Sequence, residues 1–124
     1  MTEHDEQTAL IVWARLHQRA EPRLALLYAI PNGGVRHKAT ARRLAAEGVA
    51  PGVPDLCLAC SGTYGHALYI EMKTASGRLS AAQRAWRDAL IAHNNGYILA
   101  RSWIDAARAI RDHLDCAALT QDLQ

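Results

Sequence analysis

Residues 67–73 constrain this chain more than any other stretch. Apolar Leu68, Ile70 and Met72 alternate there with Tyr69, Glu71 and Lys73. A period of two is the signature of a strand with one face on a core. The opposite face then carries a carboxylate and an ammonium side by side. A fold that accepts this strand needs helices against its apolar face and a use for the charges on the other.

The remaining segments supply matching pieces. Residues 2–19 read as an amphipathic helix capped by Thr2, with Glu3, Asp5 and Glu6 in its positive first turn. Helical spacing sets Glu6, Leu10, Trp13 and His17 on one face. That puts a carboxylate in line with the apolar stripe, so something positive is expected to meet it. Pro22 ends the segment, and the apolar run 24–30 predicts a buried strand. After the break at Pro31-Asn32-Gly33-Gly34, residues 38–47 predict a short basic helix stopped by Gly48. Pro51-Gly52-Val53-Pro54 excludes helix, 55–59 predict a second strand, and 61–66 a hairpin-length turn. Ser80-Ala81-Ala82-Gln83 is a capping box opening a helix to His93, closed by Asn95-Gly96. Residues 97–100 form the fourth expected strand. Ser102 caps a last helix over 103–114, and the polar tail 115–124 is expected to fray. The order α-β-(α)-β-β-α-β-α, without internal repeat, predicts one α/β domain over 1–114, with a mixed four-stranded sheet flanked by helices.

Composition removes several classes of function. Over 124 residues, half are apolar and 21% charged, the balance of a globular chain rather than a disordered one. No apolar run approaches the ~20 residues of a membrane span. The acidic N-terminus does not resemble a signal or transit peptide. Three cysteines without framework spacing point to a reducing cytoplasm. Cys57 and Cys60 lack the partners for a four-ligand zinc site and read as small buried hydrophobes. No Walker lysine motif is present, so no nucleotide cofactor is expected. A net charge of +2 says little, but its distribution says more. Between residues 14 and 54 stand Arg15, Arg19, Arg23, Arg36, Lys38, Arg42 and Arg43 against only Glu21 and Glu47. Such a basic front suits a polyanion. Gly33-Gly34 followed by Arg36, His37, Lys38, Arg42 and Arg43 fits a flap that grips DNA phosphates. No helix-turn-helix or zinc-finger reader accompanies it, so binding is expected to follow charge and shape.

The chemistry-bearing residues are Asp55, Glu71 and Lys73. Asp55 opens the strand before the one that carries Glu71 and Lys73, so a hairpin can bring all three to one sheet edge. An exposed cross-strand ion pair is the plain alternative for such charges. Two carboxylates and an ammonium also suit a hard divalent cation that keeps several waters. Such an ion polarises a phosphoryl oxygen and activates water at neutral pH. The lysine can position that water and balance charge on the phosphate.

Pro54-Asp55, fifteen intervening residues, then Glu71-Met72-Lys73 resembles the PD-(D/E)XK nuclease signature. The run from Glu47 through Pro51-Gly52-Val53-Pro54-Asp55-Leu56 resembles the VRR-NUC family, the virus-type replication and repair nucleases. So does Tyr69-Ile70-Glu71-Met72-Lys73 with Gly77-Arg78-Leu79-Ser80, Gln83, Trp86, Leu90 and Gly96-Tyr97. The likeness extends from the first helix to Leu114 and is greatest to small stand-alone phage and bacterial members. It implies a restriction-endonuclease-like core and a metal-dependent endonuclease. Asp55, Glu71 and the Met72 backbone carbonyl would hold Mg²⁺ or Mn²⁺, and Lys73 would be the catalytic lysine. Gln83 would support the site, although as the fourth residue of a capping box it has a competing role at Ser80. Glu6 aligns loosely with an acidic position near the metal, against a simpler role at the helix dipole. The resemblance further implies a homodimer acting on branched DNA such as four-way junctions. A non-cleaving DNA-binding accessory module on the same fold is the alternative, and it would predict a broken metal set.

Overall fold

A computed structural model describes residues 1–31, 38–119 and 123. Helix α1 spans Glu3–His17, and the Thr2 hydroxyl accepts the Asp5 N–H at 3.1 Å while Asp5 accepts the Thr2 N–H at 2.9 Å. Strands β1 (Leu27–Ala29), β2 (Leu56–Leu58), β3 (Leu68–Met72) and β4 (Gly96–Ala100) form one sheet in the order β1-β2-β3-β4. The first two junctions are antiparallel and β3–β4 is parallel, so the sheet is mixed, as the element order predicts. Helix α2 spans Lys38–Ala46, α3 Ala81–Ala92 and α4 Trp103–Leu114. The crossover β3-α3-β4 is what a parallel neighbour requires.

The apolar half of β3 faces the core. Leu68, Ile70 and Met72 are buried there with Leu10, Trp13 and Ala14 of α1 and Ala106, Ala107 and Ile110 of α4. Alanines on α4 let that helix lie close to the sheet, and this packing of α1 and α4 is the main hydrophobic body of the molecule. Helix α3 packs instead on β4. Among the described residues no helix is long and apolar enough to cross a membrane.

Two segments differ from their sequence reading. The expected strand at 24–30 is half 3-10 helix: Pro22–Leu26 turns before β1 begins. Glu21 causes this by capping the turn, its carboxylate accepting the Arg23 N–H at 3.2 Å, with Pro22 at the first position. The tail is not frayed where it is described. Asp115 takes a left-handed conformation that ends α4, a 3-10 turn follows at Ala117–Leu119, and Leu119 and Leu123 are buried. Arg108 secures it by donating from Nε and Nη2 to the Leu123 carbonyl at 3.2 and 2.9 Å. The turn after β2 is held on α4 by His113, whose Nδ1 accepts the Tyr64 N–H at 3.3 Å and whose Nε2 lies 2.8 Å from the Cys60 carbonyl oxygen.

Candidate active site

The register of the sheet brings the three charged residues together. Pairing Leu56 with Ile70 sets Asp55, just before β2, beside Glu71. Asp55 Oδ2 accepts the Met72 N–H at 2.8 Å, which locks the carboxylate at the end of β3. The backbone around it is equally fixed: Ile30 N–H donates to the Asp55 carbonyl at 2.8 Å, and Lys73 N–H to the Ala100 carbonyl at 3.0 Å. Asp55, Glu71 and Lys73 thus share the C-terminal edge of the parallel pair, on the side of the sheet away from α1 and α4.

Glycine is required in the loop that delivers Asp55. Gly52 has φ +90°, and a Cβ there would meet the Ala82 carbonyl carbon at 2.6 Å. The Pro51–Pro54 loop can therefore press against the first turn of α3, where Gln83 sits. The loop after Lys73 is also tied down. Arg101 Nη1 donates to the Thr74 carbonyl at 2.7 Å and to the Gly77 carbonyl, and Arg84 Nη1 donates to the Leu79 carbonyl at 2.8 Å.

Glu71 is the unusual member. It is 1% exposed, and its Oε2 has no hydrogen-bond partner; among the described residues Trp13 Nε1 is the other such buried side-chain atom. Burial, then the hydrogen bond that the protonated carboxyl can share with Asp55, then the Asp55 charge push its carboxyl up to about 8, and the Lys73 charge offsets this only in part. Its other oxygen, Oε1, accepts a hydrogen bond from Gln83 Nε2. Gln83 fills both of the roles that the sequence sets in competition. Its amide oxygen accepts the Ser80 N–H at 2.8 Å and its backbone N–H donates to the Ser80 hydroxyl at 3.1 Å, completing the capping box. An amide has a donor end and an acceptor end, and here each end has its own partner.

Lys73 is half-buried and forms no ion pair among the described residues. Tyr97, on the same side of the sheet, is a neighbour that sequence reasoning missed. Burial and then the Glu71 charge push its phenol up to about 12. Only the parallel register, Tyr69 beside Tyr97 and Glu71 beside Leu99, brings it there.

Glu6 has a partner of its own. Its Oε2 accepts the Trp103 N–H at 2.6 Å, so the positive partner expected for this carboxylate is the N-terminus of α4. Among the described residues no group of three or more His, Cys, Asp or Glu side chains is gathered as a ligand set. Lys38, Arg42 and Arg43 lie on α2, which buries no residue, and Arg43 is 3.8 Å from Glu47. Arg36 and His37 fall outside the described residues.

The family profile of the VRR-NUC domain matches residues 2–103. The chain belongs to the VRR-NUC family. VRR-NUC domains are nuclease domains, so Asp55, Glu71 and Lys73 lie in a fold built to act on nucleic acid. A solved structure described as a VRR_NUC domain protein is similar to this one, with a TM-score of 0.78 and 21% sequence identity. The alignment covers 93% of this chain and 89% of that one, and shows the same fold. No curated protein matches the sequence.

The VRR-NUC site also fits a divalent cation. Mg²⁺ typically takes one or two protein carboxylates and keeps its remaining ligands as water. Asp55 and Glu71 are such a pair. The unpartnered Oε2 and the raised carboxyl of Glu71 are what a cation bound beside it would relieve.

Proposed function

We propose that this VRR-NUC chain is a metal-dependent endonuclease that hydrolyses DNA phosphodiesters, with branched DNA such as four-way junctions as its preferred substrate. The observation that carries the reading is Glu71: a fully buried carboxyl group, pushed up to about 8 beside Asp55 and on the same edge as Lys73, whose Oε2 meets no N–H donor. Stability alone gives no reason to bury it so.

Asp55, Glu71 and the Met72 carbonyl would hold Mg²⁺ or Mn²⁺, which when bound polarises a phosphoryl oxygen and makes water nucleophilic at neutral pH. Gln83 keeps Glu71 in place from the rigid first turn of α3. Asp55 is held in orientation by the Met72 N–H. Lys73 forms no ion pair among the described residues, so its ammonium can orient the attacking water and balance charge as the phosphorus–oxygen bond breaks. Lys38, Arg42 and Arg43, exposed on α2, would hold flanking phosphates. One chain carries one such site, so symmetrical cutting of two strands requires a homodimer.

The test incubates the protein with Mg²⁺ or Mn²⁺ and labelled four-way junction, linear duplex and single strand. Asp55→Ala and Lys73→Ala run beside it. Junction cutting that both substitutions abolish is the expected result, with a dimer mass by sedimentation. Binding without cutting under either metal would move the chain to a non-cleaving accessory role.

A further inference from the structure

We propose that Arg101 is a positioning residue that fixes the side chain of Lys73 at the catalytic edge. This rests on the nuclease reading above, which gives Lys73 its role, and adds to it the device that aims the ammonium. Lys73 has no ion pair to hold it among the described residues, and a four-carbon stem has many rotamers to lose. Its direction must be set through the stem.

The backbone of Lys73 is fastened first. Its N–H donates to the Ala100 carbonyl at 3.0 Å, at the end of β4. Arg101 is the next residue, and its own N–H donates to Asp105 Oδ2 at 3.3 Å, which seats it against the first turn of α4. From there its guanidinium crosses to the loop after Lys73. One nitrogen, Nη1, donates to the Thr74 carbonyl at 2.7 Å and to the Gly77 carbonyl. These are the first and last residues of one turn, closed by the Gly77 N–H on the Thr74 carbonyl at 3.2 Å. The turn lies against the lysine. A Cβ at Gly77 would come within 3.4 Å of Lys73 Cδ and 3.1 Å of Thr74 Oγ1, so the backbone there runs directly beside the stem.

Stability does not call for this grip. Thr74, Ala75, Ser76 and Arg101 itself are exposed, and an exposed hydrogen bond exchanges readily for one to water. The start of α3 has its own fastenings in the Ser80–Gln83 capping box and in Arg84 on the Leu79 carbonyl. What the grip of Arg101 restricts is therefore the turn that flanks Lys73. With its backbone held by Ala100 and its stem by the turn, the ammonium keeps few positions. A reacting group ordered in advance need not be ordered on the way to the transition state.

The chain has two lysines, which makes the test direct. In protein carrying ¹³C-lysine, Lys38, exposed on α2, supplies the reference signal of a free side chain. The first measurement is made in chelator, where nothing is cut. The two Cε protons of Lys73 should be distinct in the parent and those of Lys38 merged, as rapid rotation merges them. Arg101→Ala should turn the Lys73 signal into one like that of Lys38, with melting close to the parent's. Gly77→Val, which presses on the stem while the grip remains, should shift the Lys73 signal too and serves where Arg101→Ala fails to fold. The second measurement is cutting. Arg101→Ala should lower kcat by about tenfold to a hundredfold and leave KM within about twofold. Arg101→Lys, which keeps a charged donor, should recover most of the loss. A parent Lys73 as free as Lys38, or a Lys73 signal unchanged in Arg101→Ala, would overturn the proposal. So would a raised KM with kcat intact, since Arg101 would then be a phosphate contact. A parent that does not cut under either metal removes the nuclease reading, while the lysine signals still decide whether Arg101 holds Lys73.

Discussion

Glu21 and Glu71 are both buried, at 7% and 1% exposure, and their surroundings differ in every respect that matters to a carboxylate. Arg23 meets Glu21 with a two-point grip, Nε on Oε1 at 2.8 Å and Nη2 on Oε2 at 2.7 Å. The same guanidinium donates to the Leu114 carbonyl at 3.1 Å, tying the 3-10 turn to the end of α4. Hydrogen bonding to Arg23 therefore pulls the Glu21 carboxyl down to about 2, against the cost of burial. Glu71 has one amide donor and a second carboxylate beside it, and burial pushes its carboxyl up to about 8. The one site has satisfied its charge within the chain; the other gives up its charge and holds a proton at neutral pH. A buried carboxyl pushed this far from its ordinary value marks a place where something else binds.

The sharpest way to test this contrast is to neutralise each glutamate in turn. Glu71→Gln should lower the cutting rate at least a hundredfold, since it removes a group that acts on the reacting phosphate. The same change should raise the melting temperature in chelator, because it removes a carboxyl that must take up a proton on folding, at a cost on the order of a few kcal/mol at neutral pH. A variant that cuts normally, or one that is less stable without metal, would break the comparison on the Glu71 side.

Gln83 allows a finer cut. Gln83→Glu keeps an acceptor for the Ser80 N–H but replaces the donor to Glu71 with a third carboxylate. Stability of α3 should change little, while cutting falls by about tenfold to a hundredfold as Glu71 loses its support. Ser80→Ala does the opposite: it removes the cap at a cost of about 1 kcal/mol and leaves the amide on Glu71. Thermal melts and cutting rates on the pair separate two roles that one side chain performs.

Much of this site could be read before any coordinates, and the reason is periodicity. Two-residue alternation fixed the faces of β3, and the capping box fixed the start of α3 within a residue. Both signals are local. What escaped reading depends on contacts between distant parts of the chain. The run at 24–30 is apolar enough for a strand, yet its first half turns because Glu21 and Arg23 anchor it to Leu114, far along the sequence. Leu119 and Leu123 sit in a polar tail and look idle until Arg108 reaches the Leu123 carbonyl. The cross-strand row of Tyr28, Cys57, Tyr69 and Tyr97 is invisible without register, since those residues share no spacing. Even Gln83 was legible only as a choice between two roles, because sequence shows which groups an amide offers and not how many partners the fold brings to it.

The Glu21 arm of the comparison predicts a loss of stability where the Glu71 arm predicts a gain. Glu21→Gln leaves the Arg23 guanidinium without its counter-charge and should destabilise the protein by about 1–3 kcal/mol in urea titrations. The cutting rate of the folded fraction should be unchanged, since the pair is bound to α4 and not to the catalytic edge. A fall in cutting as large as that of Glu71→Gln would show the two sites to be coupled.

The smallest effect, no more than about 1.4 kcal/mol for each pH unit and group, is the pH dependence of stability in chelator. The two glutamates bend the curve in opposite directions. Glu21 has a folded value near 2 and an ordinary value of 4.5, so its contribution is complete above pH 4.5 and is lost as pH falls through 2. Glu71 has a folded value of about 8, so the folded state holds a proton that the unfolded chain releases above pH 4.5. Its contribution is complete below that value and is lost as pH rises through 8. Metal-free stability should therefore peak near pH 5 and decline on both sides. Glu21→Gln should flatten the acid limb and Glu71→Gln the alkaline one. Saturating Mg²⁺ should restore the alkaline limb of the parent, because a cation that binds only the ionised Glu71 draws the folded state toward it as protons leave. An alkaline limb indifferent to both Mg²⁺ and the Glu71 substitution would mean that some other group titrates there.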